Sequence, residues 1–381
     1  MFFLVAAVAM LAMYSCKDYD DSANPYHRIA EITVDSTSVI FEAAPSTGFI
    51  TVNAPKGITN VSSSAAWCTV TASGSVVNIS ATQNDNFEGR SSQITIWSGA
   101  DSTQVTVQQH GFLFQLDTGT ADNSITTDDN AKRMAFYMKH NTEISVSTSA
   151  DWLTPVVDGD TLRFTVAVNA TGNPRGTYVY YSSGTMRDSI EVTQFEIDKD
   201  VLGDYSLVYY DSDDEQHSYA TNLYRRADGT YGLRFTSGSY GRNGFEIPVE
   251  LGTGYPSVIM TNMDSIGMYT YRDVEYQVRL LTMYSRGTSH RRSDDTGLKA
   301  YGYWFVDDGG HYYSFEMSNG AEFYALRLGL SPDGSYDGIS RTLNTLYYAE
   351  LQKVTGGNGA KPASQAERLP AIRRLRQVLG R

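Results

Sequence analysis

One constant offset organises the first half of this chain. Trp67 and Trp152 stand 85 residues apart, and so do Asn84 and Asn169, Arg90 and Arg175, and Gln109 and Gln194. The apolar positions keep the same shift: Val77 matches Leu162, Ile79 matches Phe164, Ile94 matches Val179, Val105 matches Ile190 and Val107 matches Val192. A gapless match over so many positions means two tandem modules of one fold. A unit of about 85 residues is the size of a small β-sandwich.

Within each module the apolar residues alternate with period two, the pattern of a strand buried on one face only. In Val76-Val77-Asn78-Ile79-Ser80-Ala81, residues 77, 79 and 81 share a face. In Thr103-Gln104-Val105-Thr106-Val107-Gln108, residues 105 and 107 face the core and 104 and 106 face water. Gly, Asn, Asp and Ser between these runs mark turns.

Around Lys199-Asp200 the composition changes. Most of the 27 tyrosines fall between Gly203 and Val354, helical periodicity is nearly absent, and strand-like runs recur. Asp228-Gly229 and Asp307-Asp308-Gly309-Gly310 read as hairpin turns. Phe315–Met317, Phe323–Leu328 and Leu346–Leu351 read as strands. About eight antiparallel strands in a barrel or a sandwich fit this length. The expected fold class is therefore all-β: two small β-sandwiches, then an antiparallel β-barrel or β-sandwich. The expected segments are 1–15, a leader; 16–29, an acidic linker; 30–111 and 112–197, the two sandwiches; 198–355, the Tyr-rich domain; and 356–381, a basic tail.

The repeated module resembles the BACON domain. The resemblance rests on ordered residues in both copies. A Trp follows a small polar run in Ser64-Ala65-Ala66-Trp67 and Ser149-Ala150-Asp151-Trp152. A strand ends at Asn84 or Asn169, and an Arg opens the strands Arg90–Ile96 and Arg175–Tyr181. A Gln closes Val105-Thr106-Val107-Gln108-Gln109 and Ile190-Glu191-Val192-Thr193-Gln194. The second copy departs at its end, where Phe195-Glu196 replaces the His110-Gly111 close of the first. The resemblance implies an immunoglobulin-like sandwich and a carbohydrate-binding or spacer role. In the last domain, Gly203-Asp204-Tyr205 resembles the opening of lipocalin-like barrels, a triplet too short to define a family.

The N-terminus assigns a compartment. Residues 1–15, MFFLVAAVAMLAMYS, are uncharged and mostly apolar, too short to span a bilayer and right for a signal-peptide core. Met13-Tyr14-Ser15-Cys16 is similar to a loose lipobox, and the acidic run Lys17-Asp18-Tyr19-Asp20-Asp21 is similar to the surface-export signal of Bacteroidetes lipoproteins. The resemblance implies lipidation at Cys16 and an outer-membrane protein exposed at the cell surface. The departure is that no Lys or Arg precedes the apolar run. The tail, with Lys361, Arg368, Arg373, Arg374, Arg376 and Arg381 against Glu367, is read as solvated and is assigned no function.

A formal net charge of −13 disfavours nucleic acid as a partner. With two cysteines, Cys16 and Cys68, and no His pair at ligand spacing, neither a disulfide framework nor a metal site is expected. Cys68 aligns with Leu153, so it reads as a buried thiol. No HExxH, GxSxG, phosphate-binding glycine loop or CxxC is present, so no catalytic residue and no cofactor is assigned. The acidic pairs Asp213-Asp214, Asp294-Asp295 and Asp307-Asp308 read as solvated turns.

The candidate ligand-binding residues are aromatic. Trp67 and Trp152 recur and read as core anchors. Trp97 alternates with Ile94 and Ile96, so it faces outward, and its counterpart is Ser182. In the last domain, Tyr301, Tyr303, Trp304, Tyr312 and Tyr313 are the candidates for an aromatic cleft that stacks on sugar rings. The leading expectation is non-catalytic capture of a polysaccharide or mucin glycan at the cell surface, with the paired modules as stalk or binding module. The alternatives are a structural or adhesive protein with a protein partner, and a glycoside hydrolase whose site lies in the C-terminal domain.

Overall fold

A computed structural model describes residues 32–120, 122–286, 289–307 and 310–354. Cys16, the leader and the basic tail lie outside the described residues. The fold is almost entirely β, as expected. No helix among the described residues is long and apolar enough to cross a membrane, which says nothing of strands.

The first sandwich has two four-stranded sheets. One runs Thr33–Ser38, Ser46–Asn53, Val76–Ala81, Cys68–Ser73, and the other Ile40–Phe41, Asp101–Gln109, Arg90–Ser98, Asn60–Ser63. Val77, Ile79 and Ala81 from the first sheet and Ile94, Ile96 and Val107 from the second fill the space between them, with Cys68 buried among them. The alternation read from the sequence therefore decides which face each strand buries.

The second sandwich repeats this plan with sheets Ser124–Thr127, Met186–Gln194, Arg175–Ser183, Ile144–Ser147 and Leu153–Asp158, Thr161–Val166, Lys132–His140, Phe114–Leu116. In each copy one short strand joins in parallel, Ile40–Phe41 on Asp101–Gln109 and Ser124–Thr127 on Met186–Gln194. The first sandwich belongs to one compact unit. The second sandwich and the C-terminal domain together make the other.

The C-terminal domain is a closed barrel of eight antiparallel strands: Gly203–Tyr210, Gln216–Arg225, Tyr231–Phe235, Glu246–Leu251, Ser257–Thr261, Lys299–Asp307, Gly310–Met317 and Arg341–Lys353. Closure comes from Arg341–Lys353, which pairs with Gly310–Met317 and with Gly203–Tyr210. That last strand joins the ring to the rest of one continuous sheet. Its first half pairs with Glu322–Ser331 and its second half with the barrel. The backbone turns at Tyr348, a non-glycine residue at φ 52°, just past the point where the partner changes. Glu322–Ser331 carries Val274–Arg286 and Ser265–Tyr271 outward as an extension of the sheet. The ring has the eight strands expected, but Phe323–Leu328, read from the sequence as one strand of this domain, lies in the extension, which carries the further strands.

Eight strands leave an interior just wide enough for side chains or one small ligand. Here Tyr205, Leu207, Leu223, Leu233, Phe235, Phe245, Ile247, Val258, Met260, Trp304, Tyr313 and Leu351 pack into one apolar cluster. Phe195 and Val201, from the segment leading out of the second sandwich, belong to the same cluster. This explains the departure at the end of the second copy. Where the first copy closes on His110-Gly111, the second has Phe195-Glu196 and supplies Phe195 as an anchor for the barrel. A single π-turn, Ile197–Val201, then aims the chain into the first barrel strand, with the Glu196 amide held by Asp200 Oδ2 at 2.8 Å.

Candidate functional site

The four residue types repeated at one offset meet in space. In the first sandwich the Arg90 guanidinium lies 4.4 Å from the centre of the Trp67 ring. Arg90 Nε donates to Gln109 Oε1 at 2.8 Å, and Gln109 Nε2 donates to the carbonyls of Ala43, Ala44 and Thr82 at 3.2, 3.2 and 3.0 Å. In the second, Arg175 lies 4.4 Å from Trp152, donates to Gln194 Oε1, and Gln194 Nε2 donates to the carbonyls of Asp128, Asn130 and Ala167. Asn84 and Asn169 are buried and bind loop carbonyls. The two tryptophans are half-buried, edged by the core and capped by arginine. Every member is spent on the fold, so this polar latch is structural.

The residues proposed as an aromatic cleft divide. Along Lys299–Asp307, Ala300, Gly302 and Trp304 are buried while Tyr301, Tyr303 and Phe305 are half-buried. Trp304 and Tyr313 pair across strands in the barrel interior. Tyr312 is also buried, stacked on Phe305 with centroids 5.6 Å apart. Trp304, Tyr312 and Tyr313 are therefore walled in by packing. Tyr301 and Tyr303 stack on each other at 6.2 Å, and Tyr303 meets Tyr255 edge-on at 6.2 Å. Trp97 is half-buried on the face opposite Ile94 and Ile96 in the first sandwich, far in sequence and in a different compact unit.

Tyr303 and Tyr255 line a cleft of about 510 Å³ where the second sandwich meets the barrel. The sandwich side contributes Asp122, Asn123, Ser124, Thr126, Tyr178, Asp188, Ser189, Glu191 and Thr193, and the barrel side adds Gly254. The two sides are tied together. Thr126 Oγ1 donates to the carbonyl of Gly254, and Lys353 Nζ, from the last barrel strand, donates to the carbonyls of Gly172 at 2.7 Å and Asp200 at 2.5 Å.

Local pairing sets the chemistry of the walls. Tyr178 and Glu191 are directly opposite in the antiparallel ladder. Burial, then the neighbouring Asp122, pushes the Glu191 carboxyl above its ordinary range, and the hydrogen bond from Tyr178 opposes this. Burial and Glu191 in turn push the Tyr178 hydroxyl up to about 12. Burial holds the Tyr255 hydroxyl well above its usual value, and it donates to the Trp304 carbonyl at 3.1 Å. Asp188 accepts from Tyr181 at 3.1 Å, and Asp122 accepts from Ser124 Oγ at 2.8 Å. The cleft thus offers three tyrosine rings, three carboxylates and several hydroxyls, a set suited to polyhydroxylated ligands.

Sequence reasoning found Tyr303 but missed Tyr178, Glu191, Asp122 and Tyr255. A signal was available in the repeat itself. At the outward positions of Tyr178 and Glu191 the first copy has Gln93 and Thr106, which form the equivalent cross-strand pair. Positions where two copies of one fold differ on a solvent face are free of the fold's demands.

One further cluster lies in the turn after the first barrel strand. Ligand atoms of Asp211, Glu215 and His217 fall within 4.8 Å of one another. Asp211 Oδ1 accepts from the amides of Asp213 and Glu215, and Oδ2 faces His217 Nε2 at 2.7 Å. These bonds close the turn upon itself.

Residues 57–110 and 142–195 each match the family model BACON, described as "Putative binding domain, N-terminal". The two sandwiches therefore carry tandem BACON modules. No curated protein matches the chain. Among solved structures, the chain is similar to a Bacteroides ovatus GH5 xyloglucanase in complex with a XXXG heptasaccharide, at 22% identity over 22% of this chain and 18% of that one, TM-score 0.20. It is also similar to an endo-fucoidan hydrolase of glycoside hydrolase family 107, at 13% identity over 45% and 35%, TM-score 0.23. The I9-I11 tandem from titin aligns at 8% identity over 77% and 97%, TM-score 0.30. The chain spans about a fifth of the xyloglucanase, and scores this low carry no argument about function.

Proposed function

We propose that this protein captures glycans without a chemical step, using the cleft between the second BACON module and the barrel. The observation that carries the reading is the cleft's lining: Tyr178, Tyr255 and Tyr303 beside carboxylate and hydroxyl groups, in about 510 Å³. A sugar presents C–H faces that stack on tyrosine rings and hydroxyls that donate to carboxylates. In this reading Cys16 carries lipid that anchors the chain in the outer membrane, facing the cell's surroundings, and the first module is a spacer.

The test is a glycan array probed with the full chain, then with Tyr255→Ala and Tyr303→Ala. Binding that drops about tenfold or more in each variant supports the reading, since a stacked aromatic contributes roughly 0.5–1.5 kcal/mol beyond the area it buries. Binding that neither variant changes places the site elsewhere, and no binding at all turns attention to a protein partner.

Glu191, held above the usual carboxylate range beside Asp122, favours one second reading, a glycoside hydrolase. Incubating an array hit with the chain and analysing for released oligosaccharides decides between the two, and the expected result is no release.

A further inference from the structure

We infer that the cleft selects uncharged saccharides and discriminates against acidic ones such as uronates, sialates and sulfated sugars. This inference rests on the glycan-binding reading above and adds to it the class of ligand.

Asp122, Asp188 and Glu191 contribute three carboxylates to the cleft, and among the described residues no Lys, Arg or His lines it. An ionised carboxylate is an acceptor only. A sugar hydroxyl is a donor and can complete its remaining lone pairs. A uronate or sulfate brings acceptors and a negative charge to a wall that already holds both. Recognition of acidic sugars ordinarily uses a guanidinium or ammonium group, and the lining supplies neither.

Geometry makes the repulsion count. The cleft is concave and walled on both sides by protein, so field lines run through low-dielectric matter and weaken less than across open water. Glu191 already responds to this environment, its carboxyl raised by burial and by Asp122. A third-party anion would meet the same two groups. The tyrosine hydroxyls do not reverse the sign: Tyr255 donates to the Trp304 carbonyl, and Tyr178 to Glu191.

The chain's overall charge of −13 also repels polyanions, but it does so at long range. At physiological salt the screening length is about 8 Å, so an effect that survives there is local. The experiment therefore uses the full chain in about 0.15 M NaCl. An array pairs each neutral glycan with its sialylated, sulfated or uronate counterpart, and the same array is probed with Asp122→Asn/Glu191→Gln.

The expected result is that neutral glycans bind and their acidic counterparts bind about tenfold or more weakly. In the double variant that ratio shrinks to about threefold or less, whatever affinity neutral glycans lose with the two carboxylates. Acidic counterparts that bind as well as neutral ones overturn the inference but leave the glycan reading standing, provided Tyr303→Ala still abolishes binding. An unchanged ratio in the double variant overturns it too. Absence of any glycan binding by the unaltered chain overturns the underlying reading and this inference with it. If the double variant fails to fold, as judged by circular dichroism, Asp122→Asn alone serves, because that side chain is exposed and an amide oxygen can still accept from Ser124.

Discussion

Replacing Gln194 with alanine tests whether the repeated polar latch holds the second sandwich together. Gln194 is fully buried. Its Nε2 serves three carbonyls, at 2.9 Å to Asp128, 3.3 Å to Asn130 and 3.2 Å to Ala167. Its Oε1 receives Arg175 Nε at 2.9 Å and Nη2 at 2.7 Å. In the variant Ala167 keeps a donor, because Arg175 Nη2 also reaches it at 2.7 Å. The Asp128 and Asn130 carbonyls lose the Gln194 donor, and Arg175 Nε loses its acceptor. These contacts are part-buried, so at about 0.5–1 kcal/mol for each of the three groups the cost is roughly 1.5–3 kcal/mol. A chain of several domains has no single unfolding free energy, so the assay must be local. Amide hydrogen exchange at Val179 and Val192, both in the core of this sandwich, supplies it. Their exchange should accelerate roughly 12- to 140-fold, at about 1.4 kcal/mol per factor of ten. Amides of Ile94 and Ile96 in the other compact unit should keep their rates. Acceleration below about threefold at Val179 and Val192 would refute the reasoning, since the latch would then contribute nothing the backbone cannot replace.

Two other expectations follow from buried groups. Burial, and secondarily the charge of Lys353, lowers the pKa of His311, which accepts from Trp304 Nε1 at 3.2 Å as the neutral ring. The folded state disfavours protonation, so this contribution is complete above the ordinary histidine value of 6.5 and is lost as pH falls through the lower folded value. Asp200 runs the other way, its carboxyl raised to about 6, so its stabilising effect grows with acid between that value and the ordinary 3.8. Comparing the thermal transition of the barrel with that of His311→Gln between pH 7.5 and 5 isolates the histidine, because Asp200 is common to both chains. The unaltered chain should fall more steeply, and parallel curves would refute the assignment. Cys68 is buried and its thiol is raised by burial, so a thiol reagent should modify it only as fast as the first sandwich opens. Immediate labelling of the native chain would contradict that packing.

How far the sequence reached depended on whether a residue's role was set by periodicity or by a meeting of distant segments. Val77, Ile79, Ile94 and Val107 could be placed in the core from alternation alone, because a pleated strand has only two faces. The offset of 85 also singled out Trp, Asn, Arg and Gln, though not that they form one hydrogen-bonded cluster per module. That cluster joins residues as far apart as Ala43 and Gln109, and only closure of the sandwich brings them together. The aromatic residues of the barrel were harder. Alternation puts Trp304 on the face opposite Tyr301 and Tyr303 without saying which face is core, and ring closure turns Trp304 and Tyr313 inward. Tyr312 lies on the other face and is buried nevertheless, against Phe305. The cleft was hidden for the same reason as the latch. Tyr178 and Tyr303 are brought to one cleft by the docking of a sandwich on a barrel, an event with no local signature.

The repeat supplies its own control for the proposed site. In both modules the same two strands pair in the same register, and the pair that is Gln93 with Thr106 in the first is Tyr178 with Glu191 in the second. The first pair is joined by a hydrogen bond from Gln93 Nε2 to Thr106 Oγ1 at 2.9 Å, so this ladder accepts a Gln–Thr pair without strain. Transplanting it, as Tyr178→Gln/Glu191→Thr, removes one ring and one carboxylate from the cleft while retaining a pair the fold demonstrably supports. Stability should change by no more than about 1 kcal/mol, because lost tyrosine packing is offset by removal of a desolvated carboxylate. Glycan affinity should fall much further. One aromatic contact and one charge-assisted hydrogen bond together amount to roughly 2–4 kcal/mol, or about 30- to 700-fold in dissociation constant. Titration of the full chain and the variant with the best array hit, alongside a thermal melt, separates the two quantities. A variant that melts normally and binds normally would remove the second module from the site. A variant that melts normally and fails to bind would show that one copy of a duplicated scaffold has been given over to ligand recognition.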